Sequence, residues 1–315
     1  MKIVDVHSHI LPKCYIEAME REGIDPIRIE GFPTPQWSPE AHCEFVEQAG
    51  IDYSVLTLST PHLHFGDDGK ACALARSINE ETADFCAQHP ERFGFCAALP
   101  TPCVEGSIAE AQYALDELGA LGVKLPSNSN GVYLGDERFD DLFAYLDERQ
   151  AVVIIHPSAP EVVPQNVFTS VPKPLFEYIA DTTRAVLNLI ATGTIEKYPH
   201  IKIVVPHAGS FLPLLAQRLV GISRILIPKG IMQPCDVAKS LDMLYFDIAG
   251  DVLPVWLDAL KKVANPGHVM YGGDFPYTPA PQIIAKNKDL AACDSLAGWY
   301  EEVMHLNAEK LFGLR

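Results

Sequence analysis

Four short stretches of the chain end an apolar run with a side chain that could bind a metal ion. The first holds His7 and His9, the second ends at His156, the third at His207 and the fourth at Asp274. Side chains alternate across a β-strand, so two histidines two residues apart project to one face and could reach one ion together. Several imidazoles plus a carboxylate, with a position left for water or substrate, are typical of a catalytic divalent-metal site.

A single histidine after an apolar run is more often a hydrogen-bonded core or loop residue than a metal ligand. The pattern recurs here at the ends of separate strand candidates, and the recurrence favours the metal-site interpretation. Histidine-rich ligation favours zinc, with manganese as the alternative. We therefore expect one divalent metal ion.

The elements that must position these residues are eight strand-length apolar runs. Segments with helical spacing and charged faces separate them, which indicates a parallel sheet covered by helices. Eight such units in a chain of this length predict an α/β fold, specifically a (β/α)8 TIM barrel, with an open doubly wound sheet as the alternative. The metal-ligand candidates then end strands one, five, six and eight, at the face where such barrels hold their active sites. The strand candidates are residues 2–10, 53–59, 92–99, 121–126, 151–156, 201–207, 244–250 and 268–273.

The segment from Leu11 to Ser38 carries prolines at positions 12, 26, 33 and 35 and is too long for a simple turn. It is expected to form a flap over the pocket after strand one. No repeat, linker or low-complexity tract interrupts the chain. Residues 1–315 are therefore interpreted as one domain.

Composition excludes several classes of partner. With 24 basic and 41 acidic residues the net charge is −17, which argues against binding to nucleic acid or to an anionic membrane. The eight cysteines form no CxxC pair, which indicates reduced thiols. The absence of a signal-like or transmembrane-length apolar run completes the expectation of a cytoplasmic protein.

Short motifs recur in order along nearly the whole chain. They are Asp5-Val-His7-Ser-His9, Trp37-Ser-Pro-Glu40, Arg92-Phe-Gly94, Ile155-His156-Pro157, Thr182-Thr183-Arg184, His207-Ala-Gly-Ser-Phe-Leu-Pro213 with Arg218, and Gly273-Asp274-Phe-Pro276. Together they resemble the amidohydrolase superfamily of metal-dependent barrels. Within it, the chain is most similar to the decarboxylase branch that includes aminocarboxymuconate semialdehyde, γ-resorcylate and 6-methylsalicylate decarboxylases. The "GFPTPQWS", "GVKLPSN" and "VYLGD" stretches look most like the 6-methylsalicylate type.

The resemblance implies metal ligands at His7, His9, His156 and Asp274, with His207 beside the metal as an acid–base group. It implies that Arg218 reaches the substrate carboxylate of a neighbouring subunit, and hence a homodimer or a higher homo-oligomer.

The chain departs from the aminocarboxymuconate enzyme at Pro33, where that enzyme has an arginine that binds a carboxylate. A desolvated bidentate arginine contributes strongly to carboxylate binding. Its loss makes that enzyme's dicarboxylate substrate doubtful.

The resulting expectation is a carboxy-lyase that removes CO2, without oxidation, from a small hydroxybenzoate-like or enol-type carboxylate. A metal-dependent hydrolase of a lactone or amide is the alternative, because both reactions need the same ligands. A non-catalytic barrel is disfavoured because the metal-site residues are intact. The candidate pocket walls are Trp37, Phe211, Phe275 and Tyr277.

Three other residues were candidates for the site. His62 and His64 form a second HxH pair outside the strand and are interpreted as loop residues at the mouth of the pocket. Lys124 ends strand four, where two-metal relatives hold a carboxylated lysine. The favoured interpretation is a lysine with a packed stem whose ammonium pairs with an acid.

Overall fold

The computed structural model describes residues 2–164, 166–167 and 170–314, and in these residues eight parallel strands form one barrel. Each lies within one of the eight apolar runs, so the predicted barrel is confirmed. The last strand closes on the first through bonds from the His9 amide to the Phe275 carbonyl at 2.7 Å and from the Val6 amide to the Tyr271 carbonyl at 3.1 Å. The strands, in chain order and in barrel order, are β1 Val4–Ile10, β2 Tyr53–Leu58, β3 Phe93–Ala98, β4 Gly122–Pro126, β5 Val152–His156, β6 Lys202–Val205, β7 Tyr245–Asp247 and β8 Val269–Met270.

Helices surround the barrel, and local sequence signals fix several of their ends. Ser38 caps α3 by accepting from the Ala41 amide, and Asp67 caps α4 by accepting from the Lys70 amide. Gly50 ends α3 in the left-handed conformation. The helices are α1 Lys13–Glu22, α2 Pro26–Glu30, α3 Pro39–Ala49, α4 Asp68–Gln88, α5 Val104–Asp116, α6 Asp140–Glu148, α7 Glu177–Ala191, α8 Thr194–Lys197, α9 Leu212–Leu226, α10 Val237–Met243, α11 Val255–Leu260, α12 Ala280–Ala291 and α13 Asn307–Phe312, and a hairpin of Asn128–Ser129 with Val132–Tyr133 follows β4.

The barrel interior has an apolar layer toward the amino-terminal ends of the strands. Ala308 and Phe312 of α13 pack against this layer and close that end of the barrel. The apolar layer consists of Val4, Val6, Val55, Cys96, Val152, Ile154, Val204 and Met270. Farther along the same strands the interior becomes polar, and there the metal-ligand candidates lie.

A bulge in β1 allows the strand to contribute to both layers. Between Asp5 and Ser8 the register advances by three residues, while the paired residues of β2 advance by two, from Ser54 to Leu56. The extra residue reverses which side chains face inward. Ser8 consequently points outward, where its hydroxyl lies 3.1 Å from Nε2 of His42.

The segment predicted as a flap contains α1 and α2. The Tyr15 hydroxyl donates to the carbonyl of Pro61 at 2.6 Å, and the Glu30 carboxyl accepts from the Thr60 hydroxyl at 2.7 Å. The segment is therefore anchored to the loop that follows β2. Closure over the pocket remains a prediction.

Helix length and the state of the cysteines are two further features of the structure. In the part of the chain that the structure describes, no helix is both long enough and apolar enough to cross a bilayer. All eight cysteines lie in this part and are free thiols.

Candidate active site

Four side chains, from β1, from β5 and from the turn that follows β8, converge at the carboxyl-terminal face of the barrel. His7, His9 and His156 each offer a ring nitrogen, and these nitrogens lie within 4.8 Å of one another. Oδ1 of Asp274 lies 3.1 Å from Nε2 of His9 and 3.6 Å from Nε2 of His7. The three histidines are at most 4% exposed. The structure thus brings together the four residues expected to bind the metal.

Hydrogen bonds fix which nitrogen each histidine presents. Nδ1 of His156 lies 2.9 Å from the Pro157 carbonyl, and Nδ1 of His9 lies 3.3 Å from the Thr57 carbonyl. A carbonyl only accepts, so each Nδ1 carries the proton and donates it, which leaves the Nε2 lone pair free. This tautomer is the one that a metal ligand requires.

Asp247 orients the remaining ligand and is a residue that the sequence interpretation missed. Its Oδ2 lies 2.8 Å from Nδ1 of His7, so that Nε2 of His7 is directed into the cluster. Its Oδ1 accepts from the amides of His207 at 3.0 Å and Ala249 at 2.9 Å. Asp247 is the last residue of β7, but it lies in the middle of the apolar run 244–250, so the rule that identified the other candidates, a polar residue ending an apolar run, does not select it.

Two site residues adopt unusual backbone conformations. Asp274 has φ +68° and His207 has φ +57°, in the left-handed region that non-glycine residues rarely occupy. The Asp274 amide donates to the His7 carbonyl at 2.6 Å, and this bond helps to hold the turn. Such conformations persist where the surrounding structure imposes them, often at functional sites.

The electrostatics of the cluster favour a bound cation. Burial lowers the pKa of His207 to about 4 and also lowers the pKa of His9 and of His156. Burial would likewise lower the pKa of His7, but the Asp247 carboxylate outweighs it and raises that pKa to about 9.

Burial opposes ionisation of Asp274, yet the contact of its Oδ1 with Nε2 of His9, together with the nearby imidazoles, holds its pKa well below the usual value. Nε2 of His7 is buried and has no hydrogen-bond partner among the described residues. An unpaired buried nitrogen beside an ionised carboxylate is the environment that a divalent cation would complete.

A cavity of about 610 Å³ adjoins the cluster. His156, His207, Asp274 and Tyr277 line it, and the Tyr277 hydroxyl donates to the Thr60 carbonyl at 2.9 Å. The other lining residues are Phe32, Ser59, Thr60, Pro157, Pro172, Pro174, Leu175, Tyr178, Ile179, Ala249, Gly250, Asp251, Val252 and Trp256.

Three aromatic residues proposed as walls lie elsewhere. Trp37 lines a different cavity and donates from Nε1 to His42 at 3.0 Å. Phe211 lies behind Trp256, with ring centroids 6.5 Å apart, and Phe275 stacks on Phe45 in the core. The aromatic lining that the sequence did not identify comes from Phe32, Tyr178 and Trp256.

Arg218 is exposed on α9 and does not line the cavity of its own chain. Its assignment to a neighbouring subunit's pocket stays a prediction.

The second HxH pair makes loop contacts. Nε2 of His62 donates to the Thr101 carbonyl at 2.8 Å, and Nε2 of His64 lies 2.7 Å from Oδ1 of Asp68.

Lys124 is buried in the middle of β4 and not at its end, and burial lowers its pKa to about 7. Among the described residues its ammonium has no acid as a hydrogen-bond partner and donates to the Ser59 carbonyl at 3.2 Å. The expected pairing with an acid is therefore wrong.

Comparison with known proteins agrees with this architecture. Residues 4–314 match the family model described as amidohydrolase. A crystal structure of an amidohydrolase II superposes with a TM-score of 0.93 at 36% identity, covering 99% of both chains. The chain therefore belongs to the amidohydrolase family.

Curated relatives of similar length are decarboxylases. The chain is 35% identical to the 6-methylsalicylic acid decarboxylase of Penicillium expansum, covering 90% of this chain and 88% of that protein. It is also 35% identical to decarboxylase yanB of Aspergillus niger, covering 96% and 84%. A manganese-containing structure of 5-carboxyvanillate decarboxylase from Novosphingobium aromaticivorans shares the fold, with a TM-score of 0.89 at 24% identity over 99% of this chain and 96% of that one. The resemblance to the decarboxylase branch is confirmed.

Proposed function

We propose that this protein is a metal-dependent, non-oxidative decarboxylase of a salicylate-type acid, an aromatic ring with one carboxylate beside a hydroxyl. The observation that carries the proposal is the cavity beside the cluster, which combines aromatic walls with a lining that contains no lysine or arginine among the described residues. A second substrate carboxylate would find no cationic partner in the lining that one chain supplies. The name of the Penicillium relative supports the same class of substrate.

His7, His9, His156 and Asp274 would hold the metal ion. Once bound, a divalent ion supplies positive charge that binds and orients the carboxylate and the neighbouring phenolic oxygen. Zinc is proposed on the basis of the histidine-rich donor set. Manganese, the ion present in the carboxyvanillate enzyme, is the alternative.

Loss of CO2 from such an acid requires a proton on the ring carbon that bears the carboxylate. Asp274 lines the cavity as an ionised carboxylate whose Oδ2 accepts from the Thr278 hydroxyl at 3.3 Å. It can take the phenolic proton of the bound acid and deliver it to that carbon. The carbon–carbon bond then breaks, its electron pair restores the aromatic ring, and CO2 departs. Water reprotonates the phenolate oxygen.

His207 is the second acid–base group. Its low pKa makes it a neutral imidazole at neutral pH, and its Nδ1 is buried without a partner among the described residues. A neutral imidazole can accept a proton at one nitrogen and donate at the other, directly or through water. We assign it to hydrogen bonding with the reacting carboxylate and to relaying protons through water.

A homo-oligomer, at least a dimer, is the proposed active species. Arg218 cannot serve the cavity of its own chain from its position in this structure, because it is exposed on α9 and does not line that cavity. The carboxylate binding implied by the resemblance would therefore require a neighbouring copy.

The test is incubation of zinc-loaded or manganese-loaded protein with salicylate, 6-methylsalicylate and 4-hydroxybenzoate, with CO2 and ring absorbance followed together. We expect 6-methylsalicylate to yield one CO2 and one 3-methylphenol per molecule consumed. The 4-hydroxy isomer cannot chelate and should be nearly inert. Parallel assays with lactones and amides test the alternative. Hydrolysis of these compounds without CO2 release from any carboxylate would replace the decarboxylase with a hydrolase.

A further inference from the structure

Asp251 is an acidic residue on the cavity wall that the reaction does not use. It follows β7 in the loop before α11, is exposed, and lines the cavity together with Gly250 and Val252. Among the described residues its carboxylate has no hydrogen bond or ion pair. A carboxylate placed this way is free to interact with whatever occupies the cavity.

The surrounding charges leave Asp251 uncompensated on the cavity side. The nearby cation is Lys286 on α12, which is attracted by both Asp274 and Asp251. However, its Nζ is buried, has no hydrogen-bond partner among the described residues, and does not line the cavity. Asp274 belongs to the metal cluster, so Asp251 is the other acidic residue of the described lining that a ligand substituent would meet.

The cavity has room for such a part of the ligand. Its volume of about 610 Å³ lies in the range that holds drug-sized molecules and exceeds what one benzoate ring fills. A ring held at the metal cluster would therefore leave space for a substituent within the cavity that Trp256 and Asp251 also line.

We propose that Asp251 determines which ring substituents the site accepts: it accepts a hydrogen bond from a hydroxyl or ammonium substituent and repels a second carboxylate. The inference rests on the proposed function, which places an aromatic carboxylate at the metal cluster. Like charges facing each other in a partly desolvated site are costly, whereas a hydrogen bond to a charged group is favourable. One side chain therefore acts in opposite directions on two classes of substrate.

The experiment compares Asp251→Asn with the native protein. Asparagine keeps the shape and removes the charge, and the Asp251 side chain makes no bond that the fold would lose. The probes are zinc-loaded protein and salicylates that carry an aminomethyl, a methyl or a second carboxylate group at each open ring position. Binding is measured by calorimetry, and kcat/KM is measured from CO2 release. Asp289→Asn, at an exposed acid of α12 outside the cavity, controls for the change in net charge.

At one or more ring positions, the native protein should bind the aminomethyl compound at least tenfold more tightly than the carboxylated one, the scale of one hydrogen bond to a charged group. Asp251→Asn should reduce that ratio about tenfold, and Asp289→Asn should leave it unchanged. The assignment would be overturned if, at every ring position, the ratio of the two affinities in Asp251→Asn stayed within twofold of the native ratio.

Calorimetry keeps this inference separate from the proposed function. If binding shows the predicted selectivity but no compound releases CO2, Asp251 has the assigned role and the decarboxylase proposal fails.

Discussion

Replacement of Asp247 by asparagine should remove the metal while leaving the fold nearly intact. The Asp247 carboxylate accepts three hydrogen bonds, from Nδ1 of His7 and from the amides of His207 and Ala249. It is completely buried, so water cannot replace a lost partner. Asparagine has nearly the same shape but offers one acceptor oxygen and one donor nitrogen in place of two oxygens.

The asparagine amide could adopt two orientations, and these differ in free energy. If its nitrogen faced the two backbone amides, two buried donors would lose their acceptor, at about 1–3 kcal/mol each. If its oxygen faces them, both bonds survive and the amide nitrogen donates to Nδ1 of His7. The second orientation is favoured. It moves the proton of His7 to Nε2, the nitrogen that must bind the ion.

Asp247→Asn should therefore weaken metal binding at least about 10–100-fold, the usual scale for the loss of a partner that orients a ligand. Metal content after dialysis against a weak chelator measures the affinity, and thermal unfolding of the metal-free protein measures the fold. His156→Ala, which removes a ligand outright, serves as the reference for metal loss. Asp242→Asn, at an exposed acid of α10, controls for the change in charge. Native metal affinity in Asp247→Asn would refute the role given to the His7 tautomer.

Three further predictions test other parts of the molecule. His207→Gln should keep its metal but reduce turnover about 10²-fold or more, the scale of a positioned acid–base group; full activity with full metal content would contradict that role. Mixing inactive Arg218→Ala chains with inactive His156→Ala chains should restore some activity, because a mixed dimer holds one complete site. A native protein that sediments as a monomer and is fully active would exclude the shared site. Burial raises the pKa of Glu30 from 4.5 to about 7. Between these pH values the folded protein keeps a proton that the unfolded chain releases. The free energy of unfolding therefore falls as the pH rises through this window, by up to ~3 kcal/mol. Glu30→Gln should remove this loss, so at pH 8 it should be more stable than the native protein in urea unfolding. An identical pH dependence in Glu30→Gln and in the exposed control Glu20→Gln would contradict the assignment.

The sequence predicts the eight strands and the metal cluster well because both follow from short-range patterns. An apolar, β-branched run indicates a strand, and the residue that ends it reaches the carboxyl-terminal face of any parallel barrel. His7, His9, His156 and Asp274 satisfy this rule and meet in the structure. Asp247 also ends a strand in the structure, but the apolar run continues to residue 250, so the sequence pattern places Asp247 inside the run and not at its end.

The cavity walls were harder to predict because no periodic pattern connects them. Phe32, Tyr178 and Trp256 come from the segment after β1, from α7 and from α11. Whether such a ring faces the cavity depends on how each outer element packs against the barrel, which is a tertiary property. Trp37 illustrates this, because its indole turns toward His42 and lines another cavity.

The bulge in β1 connects the stability of the barrel to its chemistry. With strict alternation, the strand could point Val4 and Val6 inward together with Ser8, or His7 and His9 inward together with Asp5, but not both sets. The extra residue lets the valines complete the apolar layer closed by α13, while the two histidines reach the metal cluster above it. Asp5 lies at the change of face, and its Oδ1 accepts from the amides of His7 and Gly273, each at 2.9 Å. These two bonds join the bulge to the turn before Asp274, so the backbone that changes the inward face of β1 also helps to hold the fourth candidate ligand in place.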